Sequence, residues 1–166
     1  SYTKISNSGQ VLPASAVLGS GPNDWACTKD NVSGLIWEVK TNNGGYRDYN
    51  ISYTNFTSAT LPQKSNGLNP TYAELQASSN VLGFVNAVNT QGLCGSNNWR
   101  LPEPDELQSL IDYSVIGNFN AFDTNWFPNT QSAGSYISKT GSALFAYFSW
   151  NVGFGYGEVA YKKREF

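Results

Sequence analysis

The sequence predicts an α+β domain, because strand patterns lie toward both ends and two helix signals lie between them. A strand, turn and strand pattern occupies residues 25–40, and apolar residues alternate strictly over residues 144–154. Between these regions, a Thr–Glu spacing at residues 71–74 and a proline with two acids at residues 104–106 mark helix starts. This order of elements favours helices packed on antiparallel strands.

The chain has 166 residues, which is the length of one domain, so we expect residues 1–166 to form a single domain. Only 13% of the residues are charged. Asn, Ser and Thr together make up about 30%. We therefore expect a surface that is polar but mostly uncharged.

The composition excludes several classes of function. Histidine is absent, which removes Ser-His-Asp and Cys-His catalysis and histidine metal ligation. The net charge of −2 gives no general attraction to nucleic acid, so no nucleic-acid partner is expected. No apolar run approaches the length of a membrane span, and we expect no membrane insertion.

The two cysteines, Cys27 and Cys94, favour a single disulfide. They are too few for an all-cysteine zinc site and too far apart for a CxxC redox pair. A disulfide needs an oxidising compartment, so this pairing predicts a secreted or cell-surface protein.

The strand pattern near the N-terminus predicts a hairpin with a turn at residues 30–34. Within its second strand, Leu35, Trp37 and Val39 share one face, and we expect Trp37 to be structural and part of the core. The following residues 41–70 are rich in Asn, Gly, Ser, Thr and Tyr and show no sustained period. They predict a long loop, and long loops are often functional.

Two helices are expected after this loop. Thr71 and Glu74 form a capping box, and an apolar stripe continues the first helix to residue 91 through Val81, Phe84, Val85 and Val88. The second helix begins at Pro104 and is expected to end near Tyr113.

The C-terminal strands, residues 135–166, predict a candidate binding surface. In the alternating run, the even positions, including Trp150, are expected to face the core, and the odd positions to face outward. Outward Phe145 and Tyr147 reduce solubility unless a ligand, a partner subunit or an overlying loop covers them. We expect ligand contacts from five residues of this region: Phe145, Tyr147, Asn151, Tyr136 and Lys139.

The charged residues have two interpretations each. Lys162, Lys163 and Arg164 form a basic patch that can contact sulfate or carboxylate groups, or they are a solvated chain end. Arg100 can grip a ligand, but beside Trp99 it is more typical of a structural ion pair with an acid such as Glu106.

Four motifs occur in order along the chain: Trp-Ala-Cys-Thr-Lys-Asp-Asn at 25–31, Ser-Gly-Leu-Ile-Trp-Glu-Val-Lys at 33–40, Gly-Leu-Cys-Gly at 92–95 and Trp-Arg-Leu-Pro at 99–102. In this order they resemble the C-terminal domain family of the Legionella collagen-like adhesin. The resemblance implies a C-type-lectin-like fold, with two helices packed on a twisted antiparallel sheet and long loops. It also implies structural roles for both cysteines and a surface adhesin that binds a glycan or a host or matrix surface ligand.

Metal-dependent and enzymatic alternatives have weaker support. Glu103-Pro104-Asp105 resembles the tripeptides by which calcium-dependent lectins hold sugars. Calcium needs six to eight oxygen ligands, and the sequence supplies few carboxylates for such a site. The start of a helix at Pro104 explains these residues without a metal. Asp105 and Asp112 lie two helical turns apart, too far for a paired acid and base. We therefore predict no metal, no cofactor and no catalytic residue.

The remaining alternative to ligand binding is assembly. The outward aromatic strand can instead pack against further copies of the domain and build a homotrimer, a fibre tip or a filament. Tryptophans at inward strand positions, and Trp99, are expected to be structural in either case.

Overall fold

The computed structural model describes residues 1–115, 121–131 and 133–165. Residue 166, the end of the predicted C-terminal strands, lies outside these ranges. The fold is a mixed α/β arrangement with antiparallel sheets, which agrees with the predicted α+β class. The strands form one four-stranded and one three-stranded sheet, and the C-type-lectin-like arrangement stays a prediction.

Seven strands and three α-helices make up the described fold. The strands are β1 (Tyr2–Ser6), β2 (Val11–Leu12), β3 (Trp25–Asp30), β4 (Ile36–Glu38), β5 (Ser135–Gly141), β6 (Phe148–Gly153) and β7 (Glu158–Lys163). The helices are α1 (Tyr72–Gln76), α2 (Val81–Gln91) and α3 (Pro104–Gln108). Within the described ranges, every helix is too short or too polar to cross a membrane.

The chain divides into two compact units, each built from three segments. The first contains Ser1–Asn50, Val88–Trp99 and Asp123–Thr130, and the second contains Ile51–Ala87, Arg100–Phe122 and Gln131–Phe166. The expected single domain stays a prediction.

The first unit contains the sheet β2-β1-β3-β4, in which every pairing is antiparallel. The predicted hairpin of residues 25–40 is confirmed as β3 and β4. Cys27 in β3 is fully buried and bonds to Cys94, so the predicted disulfide is present. A Cβ at Gly9 would come within 2.8 Å of the Cys94 carbonyl oxygen, so only glycine fits this close approach.

The predicted first helix is interrupted at residues 77–80, and this is a correction. Ala77 has an extended backbone and ends α1. Asn80 is fully buried, and its side chain donates to the carbonyl oxygens of Phe56 and Leu75 and accepts from the Phe56 amide. These tertiary hydrogen bonds outweigh continuation of the helix. The capping box of Thr71 and Glu74 is confirmed.

The second unit contains the sheet β5-β6-β7, also antiparallel throughout. Helix α3 lies against β5 and β6. It ends at Gln108, earlier than predicted. Residues 41–70, all of them described, contain no helix or strand, as expected for the long loop.

The face assignment of β6 is confirmed at Val152, which is fully buried, but it is wrong at the four positions before it. Ser149 and Asn151 are buried, with 0% and 6% of their surface exposed, whereas Phe148 and Trp150 are half-buried. The strand also starts only at Phe148, and Leu144, expected in the core, is 73% exposed. The side of β6 that carries Ser149 and Asn151 is therefore buried although these two side chains are polar.

Candidate functional site

The register of β6 and β7 brings aromatic side chains together on one side of the sheet. Trp150 faces Tyr161, and their ring centroids are 3.9 Å apart. Phe148 lies two residues before Trp150 and therefore on the same side. Tyr161 is 45% exposed, so this side of the sheet is open to solvent at its edge.

The connection between β5 and β6 adds two more rings. Phe145 is 52% exposed, and its ring centroid lies 5.7 Å from that of Tyr147 and 6.0 Å from that of Phe148. The centroids of Tyr147 and Phe148 are 4.9 Å apart. We name the resulting surface the aromatic face; its members are Phe145, Tyr147, Phe148, Trp150 and Tyr161.

The basic cluster of the sequence is divided in the structure. Lys163 faces Phe148 across the ladder and so borders the aromatic face, while Lys162 points to the opposite side of β7. Arg164 is only 7% exposed, and its guanidinium donates to the carbonyl oxygens of Ala146 at 2.6 Å and Asn55 at 2.7 Å. Its inclusion in a surface patch is therefore wrong, and burial lowers the pKa of its guanidinium.

Three further predicted ligand residues make their described contacts with residues outside the aromatic face. Asn151 is buried and accepts a hydrogen bond from the Ser149 hydroxyl, so its expected surface role is wrong. The Tyr136 ring stacks on Phe154 with centroids 4.7 Å apart. Lys139 is exposed and pairs with the Glu103 carboxylate at 3.2 Å.

The Glu103 carboxylate binds two groups of β5. It accepts from the Thr140 hydroxyl at 2.8 Å and pairs with Lys139. The Thr140 hydrogen bond, followed by that of Lys139, lowers the pKa of Glu103. This acid therefore links the start of α3 to β5. Within the described ranges, no three His, Cys, Asp or Glu residues come together to hold a metal ion.

The predicted structural residues are placed as follows. Arg100 makes two hydrogen bonds to Glu106, at 2.6 and 2.8 Å, which is the predicted ion pair. The Trp99 indole donates to the Leu93 carbonyl oxygen at 2.9 Å. Trp37 is half-buried rather than core, and its buried indole nitrogen has no hydrogen-bond partner among the described residues. Trp150 is part of the aromatic face.

The aromatic face carries groups that can contact a ligand. Its rings offer apolar surfaces to C–H groups, and its two tyrosine hydroxyls can donate or accept hydrogen bonds. The sequence analysis included Phe145 and Tyr147 among its candidate ligand residues, assigned Phe148 and Trp150 to the core and did not consider Tyr161. The sequence did contain a pattern that could have indicated the other rings. Phe148 and Trp150 alternate with a polar residue, and pairing of this segment with residues 161–163 would bring Tyr161 opposite one of them.

Comparison with known proteins identifies the family. No curated protein and no solved structure matches the chain at a significant level. The family model described as the Lcl C-terminal domain matches residues 26–166, which is most of the chain. The family is the C-terminal domain of a collagen-like surface protein. This chain therefore belongs to the Lcl C-terminal domain family.

Proposed function

We propose that this domain is a non-catalytic extracellular binding module that adheres to a glycan or to a host or matrix surface ligand through its aromatic face. The observation that carries the proposal is a pair of partly exposed ring clusters in the region of β6. One contains Phe145, Tyr147 and Phe148 with centroids 4.9 to 6.0 Å apart, and the other contains Trp150 and Tyr161 with centroids 3.9 Å apart. Isolated exposed rings are common on proteins, whereas several rings grouped on one surface are typical of an interaction site.

The chemistry of the face favours a neutral or weakly charged ligand. Aromatic rings stack on the apolar faces of sugars, and hydroxyl groups supply directional hydrogen bonds. Lys163 is the charged side chain that borders the rings across the ladder. Because one exposed ammonium is strongly screened by salt, we expect binding to depend only weakly on ionic strength.

The proposal includes a C-type-lectin-like arrangement and a secreted or cell-surface location. The family, whose founding domain belongs to a surface protein, supports the location, and the disulfide fits an oxidising compartment. The long loop and the antiparallel sheets support the arrangement.

The test is ligand binding by single alanine variants. A screen of immobilised glycans and matrix proteins first selects a ligand for the unaltered domain. We expect Tyr147→Ala and Phe145→Ala to weaken binding to it about tenfold each, since losing one stacked ring removes on the order of 1 kcal/mol or more. Tyr72→Ala is the matched control, because Tyr72 is 69% exposed and begins α1, outside the aromatic face.

The result can contradict the proposal in two ways. Unchanged binding by both face variants would exclude the aromatic face as the site. A large drop in the thermal unfolding temperature with intact binding would assign these rings to the core instead. Assembly of several copies is the second candidate function, and the open edge of β7 favours it.

A further inference from the structure

Strand β7 forms one edge of its sheet, and half of its main-chain groups point away from the sheet. The Arg164 amide donates to the Tyr147 carbonyl oxygen at 2.9 Å, so these residues are a hydrogen-bonded pair of the ladder. Such pairs alternate along an antiparallel ladder. The main-chain groups of residues 158, 160 and 162 therefore face β6, and those of 159, 161 and 163 point outward. Among the residues that the structure describes, no hydrogen bond reaches the outward groups.

The sequence of this edge is complementary to itself. It reads Glu158-Val159-Ala160-Tyr161-Lys162. In an antiparallel pair of two such strands with Ala160 opposite its own copy, Glu158 faces the partner's Lys162. In the same register Val159 faces the partner's Tyr161, and these are the residues whose main-chain groups point outward. If the two strands were shifted by one residue, main-chain groups that point toward β6 would lie opposite groups that point outward, and no ladder could form. A shift of two residues would place Glu158 opposite either the partner's buried Arg164 or the partner's Ala160, so its charge would lose the contact with Lys162.

We propose that β7 pairs with β7 of a second copy of this chain around a two-fold axis at Ala160, which joins the two three-stranded sheets into one of six strands. Opposite charges face each other at both ends, and apolar side chains face each other between them. Lysines at a sheet edge normally discourage pairing. Here the partner's Glu158 neutralises Lys162, and Lys163 faces the small Gly157 of the partner subunit.

The pairing would extend the binding surface. Residues directly opposite each other in an antiparallel pair lie on the same side of the sheet, so both aromatic faces lie on one side of the joined sheet. Three strand spacings, about 14 Å in total, would separate the two copies of β6. This pairing gives a closed dimer, which differs from the homotrimer, fibre tip or filament named as the assembly alternative, and it does not depend on the identity of the ligand.

The test is a set of charge reversals read by sedimentation over a range of protein concentrations. The unaltered chain is expected to form a dimer. Glu158→Lys alone and Lys162→Glu alone each place like charges opposite each other twice, and we expect each to raise the dissociation constant about tenfold or more. The double variant, and an equimolar mixture of the two single variants, restore opposite charges and are expected to dimerise again.

A main-chain variant provides an independent arm. Val159→Pro removes an amide that points outward, so it leaves the ladder with β6 intact while it blocks pairing between copies. Circular dichroism of every variant verifies folding. Because Glu158 and Lys162 point away from the aromatic face, ligand binding by the two single charge-reversal variants tests the proposed function separately.

Three outcomes would overturn the pairing. They are an unaltered chain that stays monomeric at every concentration, an assembly of three copies, and a dimer that the single reversals and Val159→Pro leave unchanged. Recovery of the dimer in the mixture of single variants, together with its loss in each alone, supports the proposed register.

Discussion

The guanidinium of Arg164 donates a hydrogen bond to the carbonyl oxygen of Ala146 at 2.6 Å. Ala146 lies between Phe145 and Tyr147, the two rings that the β5–β6 connection contributes to the aromatic face. The same guanidinium donates to the carbonyl oxygen of Asn55, and the Arg164 carbonyl oxygen accepts from the Asn55 amide. One buried cation thus joins the long loop, the end of β7 and the connection that carries the candidate site.

Arg164→Ala is therefore expected to lower the free energy of unfolding by about 2 to 3 kcal/mol, because two buried carbonyl oxygens lose a charged donor. Lys163→Ala is the neighbouring control, and as an exposed substitution it should stay within about 0.5 kcal/mol of the unaltered chain. Urea denaturation measures both. Equal stability of the two variants would contradict the role assigned to Arg164.

Gly83→Ala is expected to destabilise the protein although alanine is the better helix former. A Cβ at residue 83 would overlap the carbonyl oxygens of Gln76 and Ala77. The overlap outweighs a gain in helix propensity of about 1 kcal/mol, and we expect a net loss of about 1 to 2 kcal/mol. Asn86→Ala, at an exposed position of the same helix, should instead be neutral or slightly stabilising. Thermal unfolding of both variants measures whether each substitution raises or lowers the stability.

The pair of Arg100 and Glu106 predicts a specific pH dependence of stability. Hydrogen bonds from Arg100 hold the pKa of Glu106 at about 2, below its ordinary value of 4.5. Because the pKa of Glu106 is lower in the folded than in the unfolded state, its ionised carboxylate stabilises the fold fully above the unfolded pKa. This stabilisation is lost as the pH falls through the folded pKa. The advantage of the unaltered chain over Glu106→Gln should therefore shrink as the pH falls from about 4.5 to about 2.

Unfolding free energies at a series of pH values measure this difference. Asp105→Asn, at an exposed position of the same helix, is the control and should not reproduce the effect. A difference between the unaltered chain and Glu106→Gln that stays constant over this pH range would contradict the assignment.

Local signals predicted the elements whose hydrogen bonds are local. The capping box at Thr71 and the hairpin of β3 and β4 depend on residues close in sequence, and both are present. The break before α2 was not predictable in this way, because it depends on the hydrogen bonds between Asn80 and Phe56, 24 residues earlier.

The candidate site was predicted only in part for a related reason. Alternation along β6 gives the period of two but does not say which set of side chains is buried. The sequence analysis assigned the apolar set to the core. The structure buries Val152 of that set but leaves Phe148 and Trp150 half-exposed, and it also buries Ser149 and Asn151. Arg164 was likewise treated as part of a basic patch or a solvated chain end. Its hydrogen-bond partners are the main-chain oxygens of Ala146 and Asn55, which no side-chain pattern in the sequence reveals.

The bond between Cys27 and Cys94 encloses all of the long loop, residues 41–70. A protease that cuts once within that loop separates the chain into two pieces, and each piece retains one of the two cysteines. The pieces remain covalently joined until a reductant is added, so a domain nicked in this loop would still be held together as one molecule.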